Sequence, residues 1–146
     1  MHQRNDSRDQ GMTMISTTQA QSLAQEWVDS WNSHDLDRIL LHYADDFQMT
    51  SPFIAAMMHE PTGTLKGKEK VRAYWAQALG RLPNLHFDLI EVLTSVDSIT
   101  IYYHAVLGKR AAEVLFFDDN GKVKRAWRTT IRTDCGMSPA RLRQDK

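Results

Sequence analysis

Apolar residues recur along this chain first at helical spacing and then at strand spacing, with the switch near Pro83. Leu23, Ala24, Trp27, Val28 and Trp31 share one helical face, and Asn32-Ser33-His34 ends that helix. Leu36, Ile39, Leu40, Tyr43 and Ala44 mark a second helix, with Asp35 as its cap. A third begins after Gly67, carries Val71, Tyr74, Trp75, Ala78 and Leu79 on one side, and closes at Gly80. Between the second and third lie a short strand, Phe47 to Ser51, stopped by Pro52, and a loop, Phe53 to Lys66. The loop opens on Phe53-Ile54-Ala55-Ala56-Met57-Met58, apolar where loops are ordinarily polar. Such a run suits a lid over a cavity mouth or a contact with a second subunit.

Beyond Pro83 the period becomes two. Strands are predicted over Leu85 to Leu93, Ser98 to Leu107, Arg110 to Phe117 and Lys122 to Ile131. The breaks at Ser95-Val96-Asp97, Gly108-Lys109 and Asp118-Asp119-Asn120-Gly121 are short enough for antiparallel hairpins. Helices followed by a meander predict an α+β domain with helices on one face of a curved sheet. The folded unit is expected over residues 18–132, after a polar, disordered lead at 1–17 and before a polar, basic tail at 133–146.

Glu113 breaks this pattern. It shares one strand face with Ala111, Leu115 and Phe117, while Ala112, Val114 and Phe116 take the other, and both faces are apolar. A buried carboxylate must find a partner, keep a proton, or line a polar cavity. In a dry cavity its pKa rises, which makes it a general acid or a hydrogen-bond donor. The structural alternative is a cross-sheet pair with Arg110, Arg125 or Arg128. Trp27, Trp31, Tyr43 and Trp75 form an aromatic set on three helix faces, with core packing the plain reading for each and the one preferred for Trp31. An aromatic wall with few polar groups would suit a flat, apolar ligand. Ile99, Ile101, Tyr103 and Ala105 share a face of their strand, so register decides whether Tyr103 reaches the pocket. His104, on the other face, is a general base if that face is inward and otherwise a surface or interface histidine.

Composition narrows the function classes. Lys plus Arg number 18, as do Asp plus Glu, so bulk charge offers nothing to nucleic acid or a membrane surface. Cys135 is the lone cysteine, no apolar run is long enough to span a bilayer, and residues 1–14 lack the apolar stretch of a signal peptide. A cytoplasmic protein is expected. The six histidines lack metal-ligand spacing, Lys66-Gly67-Lys68 is no phosphate loop, and no nucleophile elbow is present. Asp45 and Asp46 fit turn chemistry better than a catalytic pair. No metal and no cofactor are expected.

The order of elements, with Trp31-Asn32-Ser33-His34-Asp35-Leu36-Asp37, His42-Tyr43-Ala44-Asp45-Asp46-Phe47, Ser51-Pro52, Gly63-Thr64-Leu65-Lys66-Gly67-Lys68, Glu113 and Phe117-Asp118-Asp119-Asn120-Gly121-Lys122-Val123, resembles the SnoaL-like, ketosteroid-isomerase-like branch of the NTF2-like superfamily. The resemblance implies an NTF2-like cone: three N-terminal helices packed on a curved, mostly antiparallel sheet. It also implies a homodimer paired through the sheet. Against the isomerase pattern, Trp27 stands where an oxyanion-hole tyrosine would be, Ser51 before Pro52 where the aspartate base would be, and Glu113 where a protonated acid would be. Tyr43 and Trp75 match cavity-lining positions. Two of three catalytic positions thus depart, since Ser51 is no carboxylate and an indole only donates. The Asp and His pairs of related cyclases, epoxide hydrolases and dehydratases find no complete match either.

The reading is a pocket for a small apolar or aromatic carbonyl or hydroxyl compound, with Glu113 as its anchor and as the catalytic candidate. Trp27, Tyr43, Ser51, Trp75 and Tyr103 are its ligand-binding candidates. Any catalysis would be cofactor-free acid-base chemistry of the isomerase, cyclase, dehydratase or hydratase type. The competing reading is a non-catalytic binding or assembly module.

Overall fold

Ser16 sets the start of the first helix. Its Oγ accepts from the Gln19 backbone N–H at 3.1 Å, and Gln19 Oε1 accepts from the Ser16 N–H at 3.1 Å, which satisfies two donors that a helix start leaves open. A computed structural model describes residues 15–130. Helix α1, Thr17–Ser33, buries Ala20, Ala24, Trp27, Val28, Ser30 and Trp31, and ends at His34 in a left-handed conformation (φ 60°). Helix α2, Leu36–Leu40, is capped by Asp35, whose Oδ1 accepts from the Arg38 N–H at 3.2 Å.

Helix α2 is shorter than the apolar spacing predicts. It stops at Leu40, and Tyr43 opens strand β1, Tyr43–Thr50. A Tyr43–Phe47 step satisfies helical spacing, but four residues are also two full strand alternations, so strand β1 buries both on one face. Its pairing with the last strand is irregular between Tyr43 and Gln48. Asp45 and Asp46 lie exposed in that irregular stretch. The apolar segment after Pro52 is also ordered differently from a loop. It forms helix α3, Pro52–Met57, with Pro52 in the first turn and Ser51 Oγ accepting from the Phe53 N–H at 3.2 Å.

Strand β2 (Thr64–Lys66), helix α4 (Lys68–Arg81), and strands β3 (Asp88–Thr94), β4 (Ser98–His104), β5 (Arg110–Phe117) and β6 (Val123–Thr130) complete the described elements. The predicted hairpin breaks separate β3, β4, β5 and β6, with a short 3-10 turn, Val106–Gly108, between β4 and β5. Residues 1–14 of the expected lead, Ile131 at the end of the last expected strand and the tail at 133–146 lie outside the described residues.

The structure corrects the expectation of a curved cone with three N-terminal helices. Only α1 and α2 precede the first strand, and α4 follows β2. The strand order is β2-β1-β6-β5-β4-β3, an open sheet with β2 and β3 as separate edges. It is a mixed sheet that neither curls nor closes, because β1 runs parallel to β6 and carries only the three-residue β2 on its far side. What remains of the expectation is the α+β class.

Registers place the interior face. Ile101, Glu113 and Arg128 stand side by side across β4, β5 and β6, and Tyr103, Ala111 and Thr130 form the neighbouring row. Helix α1 lies against β3 and α4 against β1. The α1 C-terminus is tied to the segment entering β3. Asn32 Nδ2 donates to the Phe87 carbonyl at 3.0 Å and Asn32 Oδ1 accepts from the Phe87 N–H at 2.7 Å, while His34 Nε2 lies 2.8 Å from the Leu85 carbonyl oxygen. Among the described residues no helix is long and apolar enough to cross a membrane.

Replacing Asn32 orphans both Phe87 backbone groups beside a buried ring. Asn32→Ala is expected to destabilise the fold by roughly 2 kcal/mol, measured as a lower urea midpoint at unchanged slope.

Candidate functional site

A cavity of about 290 Å³ opens between the helices and the interior face of the sheet. Helix α1 contributes Trp27 and Trp31, α3 contributes Phe53 and Met57, and α4 contributes Tyr74, Trp75, Ala78 and Arg81. Leu82, Leu85 and Phe87 line it from the segment before β3, and Met49, Tyr103, Glu113, Arg128 and Thr130 from the strands. Ala105, Val106, Leu107 and Lys109 complete it at the β4–β5 connection. A second, more open cleft of about 550 Å³ adjoins this end, sharing Arg81, Leu82, Leu85, Ala105, Val106 and Leu107.

The wall is aromatic and interlocked. Trp27 stacks on Phe87 with ring centroids 5.7 Å apart and meets Tyr103 edge-on at 5.1 Å. Trp31 meets Trp75 edge-on at 5.1 Å, and Tyr43 meets Trp75 likewise at 5.1 Å. All three edge-on geometries are favourable for quadrupolar rings. Trp27 Nε1 donates to Tyr43 Oη at 3.0 Å, so this indole N–H is engaged inside the wall.

Glu113 is the sole carboxylate among the described lining residues, and it is 2% exposed. Tyr103 Oη donates to its Oε1 at 3.2 Å. Burial pushes the Glu113 pKa up from 4.5 to about 7, against the opposing pull of Arg128 and of the Tyr103 hydrogen bond. Burial, and secondarily the Glu113 charge, hold the Tyr103 phenol well above its ordinary range and raise that of Tyr43 as well. Both phenols therefore stay protonated at neutral pH.

Arg128, the cross-strand neighbour of Glu113, makes no ion pair with it within 4.0 Å. Its Cζ sits 5.3 Å from the Phe53 ring centroid and 5.8 Å from that of Tyr103, a cation held by two aromatic faces. Its Nε is buried and finds no hydrogen-bond partner among the described residues.

Of the six residues singled out from sequence, Trp27, Trp75, Tyr103 and Glu113 meet at the cavity. Tyr43 and Ser51 do not line it. Tyr43 lies behind the wall, fully buried, holding Trp27. Ser51, 1% exposed, caps α3 and accepts from Tyr74 Oη at 3.5 Å. His104 lines the outer cleft instead. Trp31 belongs to the core, as its spacing predicts, and lines the cavity as well. Sequence reasoning missed the cavity-lining place of Arg128, which it named only as a structural partner. Tyr74 and Phe87 were also missed as lining residues; helix periodicity marks Tyr74 as inward, but no pattern marks Phe87. Among the described residues no group of three His, Cys, Asp or Glu side chains is placed to hold a metal ion.

A cavity between helices and an open mixed sheet, walled by rings around one buried acid, is the setting in which the chain's relatives become informative. The SnoaL-like domain family matches residues 24–132, and the chain belongs to that family. It is 46% identical to a SnoaL-like protein of unknown function from Burkholderia thailandensis E264, covering 80% of this chain and 98% of that one, with a TM-score of 0.78. A proposed isomerase of the SnoaL-like family from Agrobacterium tumefaciens C58 shares the fold at 14% identity and TM-score 0.64, covering 79% of this chain and 99% of that one. So does AclR, a proposed hydroxylase from Streptomyces galilaeus, at 19% identity and TM-score 0.62, covering 89% and 83%. No curated protein matches this chain. The fold and the buried aromatic cluster are consistent with a small-molecule pocket.

The raised Glu113 pKa sets a pH dependence. Between pH 4.5 and about 7 the folded state keeps a proton that the unfolded chain releases, so stability falls as pH rises through this window. The full effect is roughly 3 kcal/mol. Glu113→Gln removes it, and the stability of wild type relative to this variant is expected to drop between pH 5 and pH 8 in urea titrations. Parallel curves would place the Glu113 carboxyl at an ordinary pKa.

Proposed function

We propose that this SnoaL-like protein binds a small, largely apolar or aromatic molecule bearing a carbonyl or hydroxyl group. Glu113 is the polar anchor and Trp27, Trp75 and Tyr103 are the wall. Tyr43 and Ser51 act from behind, Tyr43 by fixing Trp27 and Ser51 by seating α3. The single observation that carries this reading is Glu113 itself: a buried carboxyl on the cavity lining whose pKa lies at about 7. A group poised there holds a proton for a ligand oxygen and can also exchange it, as general acid-base chemistry requires. The reactions open to it are cofactor-free isomerisation, cyclisation, dehydration or hydration.

A second reading, binding without turnover, is favoured by the lining itself. Among the described lining residues there is no second carboxylate and no histidine to complete an acid-base pair. The homodimer and the cytoplasmic setting belong to the same proposal. Exposed Trp127 meets Phe116 edge-on at 5.3 Å, with Arg125 beside both rings, and this supports the outer sheet face as the pairing surface.

A thermal-shift panel of aromatic polyketide-like, terpenoid and steroid carbonyl and hydroxyl compounds tests the anchor. A binder raises the Tm of wild type by mass action. Glu113→Leu is expected to weaken it roughly tenfold, whereas Glu113→Gln, which keeps a donor, retains it. Loss of turnover in Glu113→Gln with binding intact assigns proton transfer to this residue. Equal shifts in all three proteins would reduce Glu113 to a packing role.

A further inference from the structure

The donors of the cavity outnumber its acceptors, and they carry the positive charge. Three cationic side chains line it: Arg128 inside, and exposed Arg81 and Lys109 at the end that meets the outer cleft. None of the three makes a salt bridge with a described residue. Two buried donors in the wall, Arg128 Nε and Trp31 Nε1, find no hydrogen-bond partner among the described residues. Buried polar groups left without partners in a native fold call for an explanation, and an absent ligand is one.

Glu113 does not supply that explanation. It faces Arg128 across the β5–β6 ladder, yet no oxygen comes within ion-pairing distance. Had the two paired, the guanidinium would have held the carboxyl low; burial instead outweighs it. Arg128 is seated against the Phe53 and Tyr103 rings, which orders the planar fork without using its in-plane donors. A guanidinium so placed matches the two oxygens of a carboxylate.

We infer that the ligand of this cavity carries a carboxylate, received by Arg128, on an apolar or aromatic body whose hydroxyl or carbonyl meets Glu113. The inference rests on the pocket reading above and narrows it to a class, hydroxy or keto acids of modest size. A volume of about 290 Å³ lies at the small end of ligand pockets and fits a body of one or two rings. Arg81 and Lys109 draw the anion toward the opening, an attraction that salt screens.

Isothermal titration with matched pairs decides it: hydroxybenzoic, hydroxycinnamic and 6-hydroxy-2-naphthoic acids, each against its primary amide of the same shape. In wild type the best acid is expected to bind roughly ten- to hundredfold more tightly than its amide. Arg128→Met is expected to bring the pair within about twofold by weakening the acid alone, consistent with loss of one charge-assisted contact. Lys109→Gln, at an exposed position that does not threaten folding, should weaken the acid about twofold and leave the amide unchanged. Amides that bind as well as their acids in wild type would overturn the carboxylate inference and leave the pocket reading standing. Failure of every acid to bind would overturn the carboxylate inference, and the pocket reading falls with it only if the wider thermal-shift panel also yields no binder.

Discussion

Taking a carboxyl group out of water is costly unless its charge is met or its proton is kept, and the interior of this fold does little of the first. Glu113 stands among rings and aliphatic chains, with one hydrogen bond from Tyr103 and a guanidinium that is adjacent but not paired. Below about pH 7 it therefore keeps its proton. The cavity beside it follows from the same constraint, because a strand position that must house a polar group cannot also be filled by a helix side chain packed flush against it.

The aromatic wall keeps that arrangement in place. Trp27 is fixed at its polar end by Tyr43 and on its face by Phe87, and Phe87 is in turn fixed through its backbone by Asn32. Helix α1 thus holds both ends of one device, presenting Trp27 and Trp31 to the cavity while anchoring the strand entry that supplies Phe87. Rigid rings confer contact area at small entropic cost to a ligand, since few rotamers remain to be frozen on binding.

The parts of this site that depend on a single strand or helix were legible in the sequence. Glu113 was conspicuous because a charge interrupted a period-two run, and Trp27 and Trp75 because helical spacing put them inward. Tyr103 needed the Tyr103–Ala111 register, which alternation alone does not supply. Tyr43 was read as helical because its spacing from Leu36, Ile39 and Leu40 is that of a helix, although it opens β1. Arg128 was legible only as a possible ion-pair partner, since its seat between Phe53 and Tyr103 depends on helix α3, which the sequence suggested was a loop. The curved cone with three leading helices failed for a related reason. Closure depends on which edges pair, and hairpin signals are silent about the parallel β1–β6 pairing and the short β2 edge.

The charges around Glu113 would couple its proton to the acid proposed for the cavity. Arg128 from β6 pulls the carboxyl toward ionisation, as does the hydrogen bond from Tyr103 on β4, while Tyr43 on β1 contributes a phenol that stays neutral. A carboxylate seated on Arg128 would spend that pull and add a negative charge nearby, so the Glu113 proton would be held more firmly in the complex than in the free protein. Linkage would make the relation reciprocal, the protonated form of Glu113 being the one to admit such an anion. On the proposal that the cavity takes an acid, one buried carboxyl would serve two ends, neutral to receive the anion and close enough to its own pKa to exchange a proton with the ligand's hydroxyl or carbonyl.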